Sequence, residues 1–90
     1  MRLTVHGRVQ GVGYRYSIIN HIEQNQIMVR GYVQNLPNGT VFILAQGDIE
    51  SLKDLRRYAV DGSHKSDVRD IEEVYQNISE FKYDSFEIKI

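Results

Sequence analysis

Between Gly7 and Arg15 the chain reads Gly7-Arg8-Val9-Gln10-Gly11-Val12-Gly13-Tyr14-Arg15, with three glycines in seven residues and an arginine close behind. Glycine weakens helix and strand alike, so this segment is a loop. Successive backbone N–H groups in such a loop can form a nest for an anion, and a helix that follows adds positive potential at its N-terminus. Arg15, in the first turn of that helix, brings a planar fork matched to phosphate oxygens. The same residues also suit a plain tight connection with Arg15 solvated, and the pattern alone leaves both readings open.

Other phosphate loops fit less well. The Walker pattern ends in Gly-Lys-Ser/Thr, whereas this loop ends Gly13-Tyr14-Arg15. The dinucleotide fingerprint needs other glycine spacing and a parallel sheet. Val9 to Arg15 is shaped like a cysteine-phosphatase cradle, but the chain has no cysteine. A phosphate ester hydrolyses very slowly and usually calls for a metal pair or a covalent nucleophile. An acyl phosphate is easier, because its leaving carboxylate has a conjugate acid of pKa about 4 and departs without a general acid. Its hydrolysis needs mainly charge stabilisation and a placed water, which one arginine, a nest and an amide side chain can supply.

The elements that would hold such a site follow from periodicity. Leu3, Val5 and Val9 alternate with polar or small residues and predict a strand over Arg2–Arg8. Tyr14, Ile18 and Ile22 recur every four residues and predict a helix from Tyr14 to about Gln26, ending without a glycine stop. A second strand is expected over Ile27–Gln34. The turn Asn35-Leu36-Pro37-Asn38-Gly39 then makes a hairpin, and read by itself Asn35 is an Asx turn closing the strand. Thr40–Gln46 is apolar enough for a central strand.

Asp48 is placed to cap a second helix whose buried stripe is Ile49, Leu52, Leu55 and Ala59, with Gly62 as its stop. After a polar loop over Ser63–Asp67, strands are expected over Val68–Ile78 and Tyr83–Ile90, the last with Phe86, Ile88 and Ile90 alternating against Glu87 and Lys89. The order β-α-β-β-α-β with a closing strand predicts an α+β, ferredoxin-like fold, an antiparallel sheet with both helices on one face.

At 90 residues one domain spanning 1–90 is expected, burying roughly 60–65% of its unfolded surface. Hydrophobic residues make up 41% and charged residues 26%, a balance that fits a folded chain rather than a disordered one. A net charge of −1 lacks the basic surplus of a nucleic-acid binder but leaves room for one anion pocket. Without cysteine there is no disulfide or thiolate chemistry. Met1 to Gly7 has no long apolar core or cleavage pattern, and no apolar run reaches membrane-spanning length, so a cytoplasmic location without membrane contact is expected.

The same residues resemble a known family. Gly7 to Arg15 is similar to the signature loop of the acylphosphatases, with Tyr14 where Phe is common. Gly31-Tyr32-Val33-Gln34-Asn35 with Asn38-Gly39 resembles the family's second motif, Gly-Trp-Val-basic-Asn ahead of a hairpin, and Gly47 and Phe86-Glu87-Ile88 fit as well. The resemblance covers essentially the whole chain. It implies metal-independent hydrolysis of acyl phosphates by direct attack of water, with no cofactor, in a monomer. Arg15 would bind the phosphate with the backbone N–H groups of Val9, Gln10, Gly11, Val12, Gly13 and Tyr14, and Asn35 would position the water. The chain departs from the pattern at Tyr32 and Gln34, lacks the glycine that ends the first helix, and is about two residues longer between Arg15 and Asn35. We read the extra length as an insertion in the helix–strand turn. A register shift instead would turn Asn35 to the other face of the sheet.

His6, His21 and His64 have no carboxylate or histidine at ligand spacing, which argues against a metal site. Ser17, Ser51 and Ser63 lie in no nucleophile elbow. Asp70, Glu72 and Glu73 read as a solvated strand face. Two rival functions remain at this stage. A non-catalytic phosphate-sensing module would keep the loop without turnover, and an RNA-recognition domain would use the aromatic strand Arg30-Gly31-Tyr32-Val33.

Overall fold

The computed structural model describes residues 1–78 and 80–90. Seven elements appear in the order β1 (Arg2–Arg8), α1 (Tyr14–Gln24), β2 (Val29–Asn35), β3 (Val41–Gly47), α2 (Ile49–Asp61), β4 (Asp67–Val74) and β5 (Phe86–Lys89). The five strands form one sheet in the order β4-β1-β3-β2-β5. Registers such as Leu3↔Ile43, Val5↔Val41, Val33↔Ile43 and Gly31↔Ala45 put these odd-numbered residues on one face. That face forms the core together with Tyr14, Ile18 and Ile22 of α1 and Leu52, Leu55 and Ala59 of α2, so both helices cover the same side.

The sheet is mixed rather than wholly antiparallel. β1, β2, β3 and β4 pair antiparallel, but β5 runs parallel to β2, with Gly31↔Phe86 and Val33↔Ile88. The chain leaves β4 at the end of the sheet where β2 begins. There the Lys82 N–H donates to Gln46 Oε1 (2.9 Å) and the Gly31 N–H to Ser85 O (2.9 Å). The strand that follows must therefore run the same way as β2. Alternation in the sequence marks a strand but carries no information on its direction.

Boundaries also move. β4 ends at Val74 rather than Ile78, and β5 starts at Phe86 rather than Tyr83. Ile49, expected in the buried stripe, is 53% exposed, since as the first residue of α2 it overhangs the core. α1 stops two residues early. Gln26 takes a left-handed φ of 52°, and the Ile27 N–H reaches Ile22 O (2.9 Å) while the Gln26 N–H reaches Glu23 O (3.3 Å). This is the paired closure that normally uses glycine. β2 keeps Asn35 on the same face as Val33, with Asn35 opposite Val41.

The open face of the sheet carries an aromatic cluster. Tyr32 sits 5.9 Å from the Phe42 ring and 5.8 Å from the Tyr83 ring, and Lys89 Nζ lies 4.0 Å over it. Neither Tyr32 nor Phe42 is exposed. The histidines are also better partnered than their spacing suggested. His6 meets Glu72 at 2.7 Å across β1 and β4, and His21 meets Asp54 at 3.2 Å between the helices while stacking on Tyr58. Among the described residues no group of three His, Cys, Asp or Glu comes together to hold a metal ion.

Candidate active site

β1 carries the chain up to Arg8, and Val9, 1% exposed, plugs the core beneath the loop. Gly11 and Gly13 both take left-handed conformations, with φ of 73° and 77°. A Cβ at either position would meet nothing within 4 Å, so it is the backbone torsion, not lack of room, that calls for glycine there. Gly13 is also the N-cap of α1. It offers no side-chain hydrogen bond, and the first turn of α1 has no acidic residue. The first N–H groups of a helix have no partner within it. Here they stay uncapped, and their partial positive charge is left uncompensated at the mouth of the loop.

Tyr14 anchors this turn. Its ring is 1% exposed and its hydroxyl donates to Ala59 O in α2 at 2.8 Å. Burial pushes the phenol well above its usual range, so it remains a neutral donor. Arg15 follows on the adjacent face of the helix, half-buried, and its Nη1 donates to Lys89 O at the end of β5 (2.7 Å). That bond uses one of the five guanidinium donors and fixes the orientation of the plane.

Arg15, Val9, Gly11, Gly13, Tyr14, Tyr16 and Asn35 line a cleft of about 140 Å³. Asn35 reaches it from the last position of β2. Its Oδ1 is buried and has no hydrogen-bond partner among the described residues. The Asx role belongs to Asn38 instead, whose Oδ1 accepts from the Thr40 N–H (3.2 Å) and the Thr40 hydroxyl (2.6 Å). A buried acceptor left unpaired is costly unless a water or ligand completes it.

The fold therefore gathers Val9, Gly11, Gly13, Tyr14, Arg15 and Asn35 around one cleft, with Gln10 and Val12 between them in the same loop. Gln10 turns its side chain toward the β2–β3 hairpin. Sequence reasoning missed two contributors. Tyr16 is a 64% exposed aromatic at the rim, hidden among helix surface positions. Lys89 acts through its backbone carbonyl, which no side-chain pattern reveals.

Comparison with known proteins agrees with this arrangement. The acylphosphatase family model matches residues 1–88. An acylphosphatase of Petrotoga mobilis is 34% identical over 88 residues, spanning 98% of this chain and 94% of its own length. One from Caldanaerobacter subterraneus is 39% identical over 77 residues, or 81% of this chain and 83% of its own. The solved structure of the acylphosphatase from Bacillus subtilis superposes with a TM-score of 0.85 at 36% identity, covering 99% of this chain and 96% of that one. With its mixed five-stranded ferredoxin-like sheet and these matches along its length, the chain belongs to the acylphosphatase family, enzymes that hydrolyse the carboxyl–phosphate bond of acyl phosphates.

Proposed function

We propose that this chain hydrolyses acyl phosphates in the Gly7–Arg15 cleft by direct attack of water, without a covalent intermediate or a metal ion. The phosphoryl dianion sits on the backbone N–H groups of Val9 to Tyr14, with Arg15 supplying a charged fork on its outer side. Asn35 accepts a hydrogen bond from the attacking water and aims its lone pair at phosphorus. As the new P–O bond forms, the bond to the carboxyl oxygen breaks and the electron pair leaves on the carboxylate. The proton of the water passes to a phosphoryl oxygen or to solvent, giving carboxylate and inorganic phosphate.

The chemistry suits the residues available. A carboxylate leaves without protonation, so no general acid is needed. What remains is holding charge and placing water, which dipoles and one guanidinium accomplish. The observation that carries the reading is the buried, unpaired Asn35 Oδ1 in the same cleft as Arg15 and the two left-handed glycines. We read the working form as a monomer. The chain has no cysteine, and we read its address as the cytoplasm, where disulfides are rarely used.

Benzoyl phosphate, which absorbs in the ultraviolet, is the direct test. Wild type should turn it over in the presence of EDTA, be competitively inhibited by inorganic phosphate, and act poorly on p-nitrophenyl phosphate. Hydrogen bonds to charged groups contribute about 1.5–3 kcal/mol each, so Arg15→Ala, losing a fork of two, should lower kcat/KM by roughly 10²–10⁴-fold and weaken phosphate inhibition. Asn35→Ala should lower kcat by about 10²-fold, the scale of a misplaced nucleophile, and leave phosphate inhibition nearly intact. Equal loss of phosphate binding in the two variants would refute this division of roles.

A further inference from the structure

Gln10 belongs to the loop by its backbone and to the hairpin by its side chain. Its Nε2 donates to Leu36 O and to Thr40 O, both at 2.8 Å. These carbonyls close the turn that follows Asn35: the Leu36 N–H donates to Thr40 O (2.9 Å), and the Gly39 N–H donates to Leu36 O (3.1 Å). Each carbonyl thus has one lone pair engaged within the turn and one facing Gln10. An amide NH₂ carries two hydrogens, one for each. With two acceptors in front, only the nitrogen end of the side chain fits, and a shorter or acidic residue cannot make both bonds.

We propose that the Gln10 side chain is a positioning residue that holds Asn35 in place relative to the phosphate loop. This inference rests on the role given above to Asn35. Leu36 is the residue directly after Asn35, and Thr40 is 5% exposed and precedes Val41, the strand partner of Asn35. The clamp therefore grips the chain on both sides of the Asn35–Val41 pair. Among the described residues no other side-chain hydrogen bond joins the Gly7–Arg15 loop to the β2–β3 hairpin. Arg15 is oriented separately, by Lys89 O, and Tyr14 by Ala59 O. Without the clamp the loop and Arg15 keep their own anchors, and the position of Asn35 relative to them is what loosens.

The test combines three variants, all read on benzoyl phosphate with inorganic phosphate as inhibitor. Gln10→Leu should lower kcat by about 10- to 100-fold while the phosphate inhibition constant moves by less than about threefold. In an Asn35→Ala background the same change should cost less than about twofold in kcat, because the group it positions is gone. Gln10→Glu keeps the size but, when ionised, turns an oxygen with no proton toward two carbonyls. Its deficit relative to wild type should be large at pH 8 and shrink toward pH 5, as the carboxyl gains a proton and regains one bond. Should Gln10→Leu fail to fold, the pH profile of Gln10→Glu carries the test alone. An unchanged kcat in Gln10→Leu, an equal loss of phosphate affinity, a pH-independent Gln10→Glu deficit, or additive losses with Asn35→Ala would each overturn the proposal. An Asn35→Ala enzyme with full kcat would instead bring down the reading of Asn35 and this inference with it.

Discussion

The two helices begin in opposite ways. α2 opens on Asp48, whose carboxylate accepts from the Ser51 N–H at 2.9 Å, and Glu50 adds a second negative charge in the first turn. α1 opens on left-handed Gly13 with no side-chain cap and no acid nearby, and its second residue is an arginine. The ends differ as well. α2 finishes on Gly62 with φ of 73°, whereas α1 finishes its turn on Gln26 with φ of 52°, a torsion that favours glycine. α2 starts on a capping side chain and stops on a glycine. α1 starts without a cap and closes on a residue other than glycine, and only its uncapped start faces the cleft. An open, positive helix start is a poor choice for stability, and under the proposed function it is this end of α1 that holds the dianion.

Making the start of α1 resemble that of α2 should sacrifice binding. Tyr16 is exposed and within the first turn, so Tyr16→Glu adds an acid there without disturbing the core. The inhibition constant for inorganic phosphate should rise by roughly 3- to 10-fold, while thermal stability stays level or improves slightly. A tighter phosphate complex, measured by the same competition assay, would break the comparison.

The reverse change at α2 should touch stability alone. Asp48→Ala removes the cap and should lower Tm by about 2–8 °C while leaving benzoyl phosphate kinetics unchanged. Hydrogen bonding from Ser51 holds the Asp48 carboxyl below its ordinary value in the folded chain. The capping contribution is therefore complete above the usual carboxylate range and is lost as pH falls through the depressed folded value. The gap in Tm between wild type and Asp48→Ala should accordingly narrow in strong acid, and a gap that widened there would contradict the role of the charged cap.

The smallest effect is expected at the other end of α1. Gln26→Gly relieves the left-handed torsion but loosens the unfolded chain, and should raise stability by at most about 1 kcal/mol. Denaturant unfolding would measure it, and a loss of stability would mean that the Gln26 side chain contributes more than its backbone torsion costs.

Much of this contrast was legible in the residues. The four-residue spacing of Tyr14, Ile18 and Ile22, the Asp48 cap and the Gly62 stop are local signals, and local physics fixed them. So is the Gly7–Arg15 pattern, since closely spaced glycines before a helix bear on backbone torsion alone. What escaped depends on distant partners. The parallel entry of β5 is set by where β4 ends, the overhang of Ile49 by the edge of the core, and the pairing of His6 with Glu72 by strand register. Asn35 was ambiguous because an Asn before Pro-Asn-Gly has two uses, and only three dimensions assign the turn bond to Asn38. The Gln10 clamp lies 26 and 30 residues from its acceptors and joins a side chain to backbone carbonyls, so no spacing rule reports it.

Titration of the ¹⁵N-labelled protein with inorganic phosphate, followed by amide chemical shifts, puts the two helix starts side by side in one measurement. The amides of Gly11, Val12, Gly13, Tyr14 and Arg15 should shift together along a single saturable curve, those of Gly47 to Ser51 should stay in place, and the response should vanish in Arg15→Ala. Saturable shifts centred on the α2 start, or a loop that remains silent while phosphate inhibits the enzyme, would contradict the account.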